Sequence, residues 1–69
     1  MQEEFKIEGE YIELIQLLKA TGIAQTGGHA KMIVEDGVVI RNGEVETRKR
    51  AKLIVGDEIK LDDLTINLV

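Results

Sequence analysis

The sequence predicts an α+β domain spanning residues 1–69, two helices packed on a small, mainly antiparallel β-sheet. Three observations predict it. Between residues 10 and 37, two stretches carry apolar residues every three to four positions, and a glycine closes each. From Val38 onward the pattern changes to short apolar or alternating runs, separated by Asn42-Gly43, Gly56-Asp57 and Asp62-Asp63. A hydrophobic content of 43% is too high for a disordered chain at a net charge of −4, and 69 residues leave room for one domain.

Taken in order, Phe5-Lys6-Ile7 alternates and reads as a short edge strand that Gly9 breaks. Tyr11 to Ala20 reads as the first helix. Tyr11, Leu14, Ile15 and Leu18 form its apolar stripe, widened by Ile12 and Leu17. Glu10 and Glu13 near its start and Lys19 near its end suit the helix dipole. Gly22 accepts the left-handed conformation that ends a helix. After the connector Ile23-Ala24-Gln25, Thr26 is the expected N-cap of a second helix running to about Glu35. Ala30, Ile33 and Val34 make its buried face, and Lys31 lies within reach of Glu35. Gly37 closes it.

Val38-Val39-Ile40 is a strand signal, and Asn42-Gly43 is the favoured dipeptide of a type I′ hairpin, with Val45 on the returning strand. The like charges of Arg48-Lys49-Arg50 cannot all be buried, so the run belongs on a loop or exposed edge, where charge reversal should spare the fold. Lys52 to Val55 is apolar again. Glu58 to Leu61 and Leu64 to Leu68 are the last two strands.

Composition excludes several function classes. With no Cys there is no disulfide framework and no thiolate metal site, and a single His29 makes no ordinary zinc site. No Ser is present to act as a nucleophile. The carboxylate pairs Asp57-Glu58 and Asp62-Asp63 fall at turns, which turn chemistry explains better than acid–base catalysis. The acidic start Met1-Gln2-Glu3-Glu4 is no signal peptide, and no apolar run approaches the roughly 20 residues of a membrane span. The expectation is a cytoplasmic monomer that is not an enzyme and carries no cofactor or metal. Phe5 and Tyr11 are the only aromatics, too few for an exposed base-stacking platform.

Positive charge is concentrated instead. Between Arg41 and Lys52 stand Arg41, Arg48, Lys49, Arg50 and Lys52 against Glu44 and Glu46, while the rest of the chain is strongly acidic. Such sorting is either a solvated face balancing its own acids or a docking site for an anion.

The ordered set Leu14, Leu17-Leu18, Gly22, Ile23-Ala24, Thr26, Ala30-Lys31, Ile33, Gly37 to Ile40, Asn42-Gly43 and Gly56-Asp57 resembles the S-four RNA-binding domain. This is the alpha-L motif named after the fourth small-subunit ribosomal protein. The string from Gly43 to Lys52 looks more specifically like the short stand-alone bacterial members. The resemblance implies the two-helix alpha-L motif on its sheet. It also implies non-catalytic binding of structured RNA, ribosomal RNA more than transfer RNA, on ribosomes or their precursors. One position departs from the pattern. After the Ser or Thr that opens the second helix many members carry Arg, and here Gly27 stands there, followed by Gly28 and His29.

The candidate RNA-binding residues are therefore Thr26, Gly27, Gly28, His29, Lys31, Arg41, Arg48, Lys49, Arg50 and Lys52. The cations suit phosphates, since RNA helices are read largely by shape, phosphate and 2′-hydroxyl. Thr26-Gly27-Gly28 opens a helix with small residues, so its backbone N–H groups can approach an anion; Gly-Gly is also simply a turn. Two other readings stand beside RNA binding: a protein-interaction module working through its acidic surface, and a small-anion binder at Thr26 to Lys31. RNA binding requires Lys31, Arg41 and the 48–52 cations on one face.

Overall fold

The structure, a computed structural model, describes residues 1–69. Seven strands and two helices follow one another as β1 (Gln2–Phe5), β2 (Ile12–Glu13), α1 (Leu14–Ala20), α2 (Gly27–Glu35), β3 (Ile40–Arg41), β4 (Glu44–Val45), β5 (Lys52–Leu53), β6 (Glu58–Leu61) and β7 (Leu64–Leu68). Five of the strands form one sheet in the order β1-β7-β6-β3-β4, and β2 pairs with β5 in a second, two-stranded sheet. Only β1 with β7 is parallel; the other pairings are antiparallel. The fold is thus α+β with a mainly antiparallel sheet.

The N-terminal strand lies at an edge, as expected, but over residues 2–5 and not 5–7. Its pairing continues past the strand through Val69 N–H to Phe5 O and Ile7 N–H to Val69 O, both 2.9 Å. The first helix is shorter than its periodicity predicts. Ile12 and Glu13 are extended and pair with Leu53 and Lys52, so the helix begins at Leu14. Tyr11 therefore lies outside the helix, 42% exposed, and not on the buried stripe. Glu13 becomes the N-cap without a side-chain capping bond, and Gly22 follows the C-cap at φ +80°.

The second helix matches its signals. Thr26 Oγ1 accepts the His29 backbone N–H at 3.0 Å, which satisfies one of the unpaired donors at the helix start. Gly37 ends it at φ +73°. Lys31 forms no ion pair with Glu35; the Glu35 carboxylate lies 3.9 Å from Lys49 Nζ instead. In the hairpin, Asn42 (φ 51°) and Gly43 (φ 88°) both take positive φ, and Ile40 pairs with Val45. Val38 and Val39 fall outside the strand, yet Glu46 N–H to Val39 O at 2.9 Å carries the pairing one step further.

Leu14, Leu17 and Leu18 of α1, Ala30 and Val34 of α2, and Ile59, Ile66 and Leu68 of the sheet meet in one buried core with Val39, Ala51 and Leu53. Leu53 joins the core from the β2–β5 ladder, and Leu14 N–H donates to Ala51 O at 3.0 Å. These contacts fix the 47–52 segment against the start of α1. That segment carries the basic run.

Candidate nucleic-acid interface

Arg41 lies opposite Ile59, and Ile59 opposite Ile66, so the three side chains share one face of the sheet. An unpaired cation on that largely apolar face would be heavily penalised. Two carboxylates answer it. Arg41 Nη1 donates to Glu46 Oε1 at 3.3 Å, and Nη2 donates to Asp57 Oδ2 at 2.8 Å and to Lys52 O at 3.0 Å. Asp57 also accepts from Asn42 Nδ2 and from the Ile54 N–H, both at 2.9 Å. Asn42 Oδ1 in turn accepts the Glu58 N–H at 2.9 Å. Arg41, expected among the RNA contacts, makes three hydrogen bonds inside the protein, which tie the hairpin turn to β5 and to the Gly56-Asp57 turn.

Glu46 holds a second arginine. Arg48 Nε donates to Glu46 Oε2 at 3.0 Å and Nη2 to Oε1 at 3.2 Å, a forked pair, while the Arg48 N–H adds a bond to Oε2 at 3.2 Å. The Arg48 side chain is 74% exposed and Glu46 is buried, so the pair anchors one end and presents the other to solvent. The Arg48 hydrogen bond holds the Glu46 carboxyl at about 2, against an ordinary 4.5, with burial opposing and Arg41 assisting. Burial acts to raise the Asp57 carboxyl, but the bonds from Ile54 N–H, Asn42 and Arg41 outweigh it and keep it below its ordinary value. Arg48 is therefore not a neutral site for charge reversal: a carboxylate there would face Glu46.

The other candidates converge. The start of α2 and the 47–52 loop line one groove formed by Ile15, Gly27, Gly28, Lys31, Lys49 and Arg50. Lys31 projects from the first turns of α2, and Lys49 and Arg50 reach it because Ile15 N–H donates to Lys49 O at 3.2 Å, bolting the loop to α1. The backbone at Gly27 is open: a Cβ there would meet nothing within 4 Å. A second depression runs on from the first, lined by Arg41, Arg48, Arg50, Ala51 and Lys52, with Arg50 common to both. His29 is exposed, and its Nδ1 accepts the Gln25 N–H at 3.3 Å. Thr26 spends its hydroxyl oxygen on the cap. Lys31, Lys49 and Arg50 thus share one groove with the N-terminal turn of α2, and Arg48, Lys52 and the partly buried Arg41 line the depression beside it.

No spacing rule connects Arg41 with Asp57 or with Glu46, and the sequence offered no signal for that clasp beyond the turn-forming Gly56-Asp57 itself.

The family model described as "S4 domain" matches residues 5–69. The chain is 36% identical over 59 residues to an Escherichia coli (strain K12) protein named "Putative RNA-binding protein YbcJ", covering 86% of this chain and 84% of that one. It is 36% identical over 62 residues to a Bacillus subtilis (strain 168) protein named "Probable ribosome maturation protein RlbA", covering 90% of this chain and 87% of that one.

Proposed function

This chain belongs to the S4 domain family, and from that premise we propose that it binds structured RNA without catalysis. The RNA is ribosomal, on the ribosome or its precursors, and the protein acts in the cytoplasm as a small monomeric accessory factor. The observation that carries the reading is the shared groove in which Lys31, Lys49 and Arg50 surround the open backbone of Gly27 and Gly28. Helix N-termini attract anions through unpaired N–H groups and the helix dipole, and three cations around one such end favour a phosphate there. Arg48 and Lys52, on the adjoining depression, extend the cationic track to a second phosphate. The names of the two relatives, one for RNA binding and one for ribosome maturation, agree with this partner.

The test is an anisotropy titration against structured ribosomal RNA fragments at several salt concentrations. Each phosphate neutralised steepens the log–log salt dependence by about 0.7 to 0.9, so three or four contacts give a slope of roughly −2 to −4. Reversing Lys49 and Arg50 together to Glu should abolish binding. Reversing Lys19 and Lys60, which line neither the basic depressions nor any other groove, should do much less. Equal losses from both pairs, or no salt-sensitive binding to any structured RNA, would refute the proposal and favour a protein-interaction module.

A further inference from the structure

Tyr11 is displaced from the helix and left 42% exposed by the pairing of Ile12 with Leu53. Lys52 Nζ stands 4.9 Å from the centre of its ring, a cation–π contact. The same ring forms a wall of a shallow groove of about 450 Å³, lined by Phe5, Lys6, Glu8, Tyr11 and Ile12. Phe5 and Ile12 are half-buried against the core, so the floor of the groove is apolar and supported from below. Lys6 and Glu8 at its rim are both exposed.

The Lys52–Tyr11 contact links this groove to the cationic track. Arg50 borders both basic depressions, Lys52 borders the second, and Lys52 rests on Tyr11. A strand whose phosphates follow Lys49, Arg50 and Lys52 therefore reaches the Tyr11 ring next. Resting on the RNA-binding reading above, we infer that Tyr11 and its groove take one unpaired base of the bound RNA, and that this base is guanine. One ring is too few for a platform of successive bases, but a single aromatic face stacks one base of any identity, so Tyr11 supplies affinity. Glu8 supplies the choice: a carboxylate accepts two hydrogen bonds at once, and guanine alone offers two adjacent N–H donors, N1–H and N2–H, on its Watson–Crick edge. Adenine and cytosine place a ring acceptor beside their amino group, which a carboxylate repels. Lys6 is the donor at the rim for the guanine O6. The RNA this protein prefers is thus a helix interrupted by a bulged or looped guanosine, and not an uninterrupted duplex.

The chain has one Tyr and no Trp, so its intrinsic fluorescence reports this ring alone. The probe is a ribosomal-type hairpin bearing a single bulged guanosine, compared with the same hairpin carrying an abasic or an adenosine bulge and with the perfect duplex. Binding is followed by anisotropy of the labelled RNA and by tyrosine emission. The expected result is quenching on the guanosine bulge and about 5- to 30-fold tighter binding to it than to the abasic form. Tyr11→Phe should keep that preference and Tyr11→Leu should lose it, both with unchanged circular dichroism. Glu8→Gln should lose the preference for guanosine over adenosine while keeping the one over the abasic bulge. Salt-sensitive binding that ignores the bulge, with no quenching, overturns the base pocket and leaves the phosphate groove standing. Failure of the Lys49 and Arg50 reversal to weaken binding overturns the groove reading, and a complete absence of RNA binding overturns both.

Discussion

Replacing Glu46 with Gln keeps the shape of the side chain and removes its charge. In the folded protein this carboxyl sits at about 2 against an ordinary 4.5, chiefly because Arg48 donates to it, with help from the Arg48 backbone and Arg41. A pKa unit is worth about 1.4 kcal/mol, so the ionised form is favoured on folding by at most about 3 kcal/mol. Arg48 is 74% exposed, and solvent screening of that partner brings the expected contribution to roughly 1–2 kcal/mol. Because the folded value lies below the unfolded one, the contribution is complete above about pH 4.5 and disappears as pH falls through about 2. Urea denaturation followed by far-ultraviolet circular dichroism should show Glu46→Gln destabilised by that amount at pH 7, with the gap to wild type narrowing as pH approaches 2. Asp57, also held low, makes wild type itself lose stability on the acid side, but Asp57 is common to both proteins and cancels in the difference. A gap that stays constant across this range would refute the argument, because it would locate the loss in packing and not in the charge.

Two further substitutions probe the hairpin and the groove. Gly43→Val should lower stability by about 1 kcal/mol or more in the same denaturation assay: a Cβ at Gly43 meets no neighbour, so the whole effect comes from forcing a β-branched residue to φ 88°. Gly27→Arg should tighten RNA binding several-fold at low salt and steepen the salt slope by about 0.7 to 0.9, because the site is sterically open and the new cation stands at the mouth of the groove. An unchanged slope for that variant would mean that no phosphate approaches the start of α2.

What was legible in the sequence was local. The Thr26 cap, the Gly22 and Gly37 stops and the Asn42-Gly43 turn are decided by residues within a few positions of each other, and the structure has each of them where the sequence placed it. The last hairpin was legible for the same reason, since Ile59, Ile66 and Leu68 alternate with polar residues on adjacent strands. Tyr11 was misplaced because helical periodicity counts any apolar residue at the right spacing. Whether Ile12 is helical or extended depends on Leu53, which lies far along the chain. The parallel docking of β1 on β7 is equally non-local, and β1 alone carries no mark of its partner. For the site, the cations were legible as a group but their division of labour was not. Arg41 and Arg48 look alike in sequence, yet one is consumed by Glu46 and Asp57 on the core face of the sheet and the other is presented to solvent.

That division also bears on how an acidic chain can hold an anion. Net charge matters only for those charges a ligand feels, and at physiological ionic strength the screening length is about 8 Å. Glu46 and Asp57 are buried and matched against Arg41 and Arg48, so they contribute little to the outer field. Glu3 and Glu4 stand on β1, at the edge of the sheet opposite the β3–β4 hairpin that leads into the basic loop. The groove itself is formed by α1, α2 and the 47–52 loop, and no residue of β1 lines it. The carboxylates able to oppose a phosphate in the groove are therefore the near ones, above all Glu35, which already lies 3.9 Å from Lys49. Charge of −4 summed over the molecule is thus compatible with a locally cationic groove, and removing Glu35, not diluting the acidic β1 edge, is the change that would strengthen it.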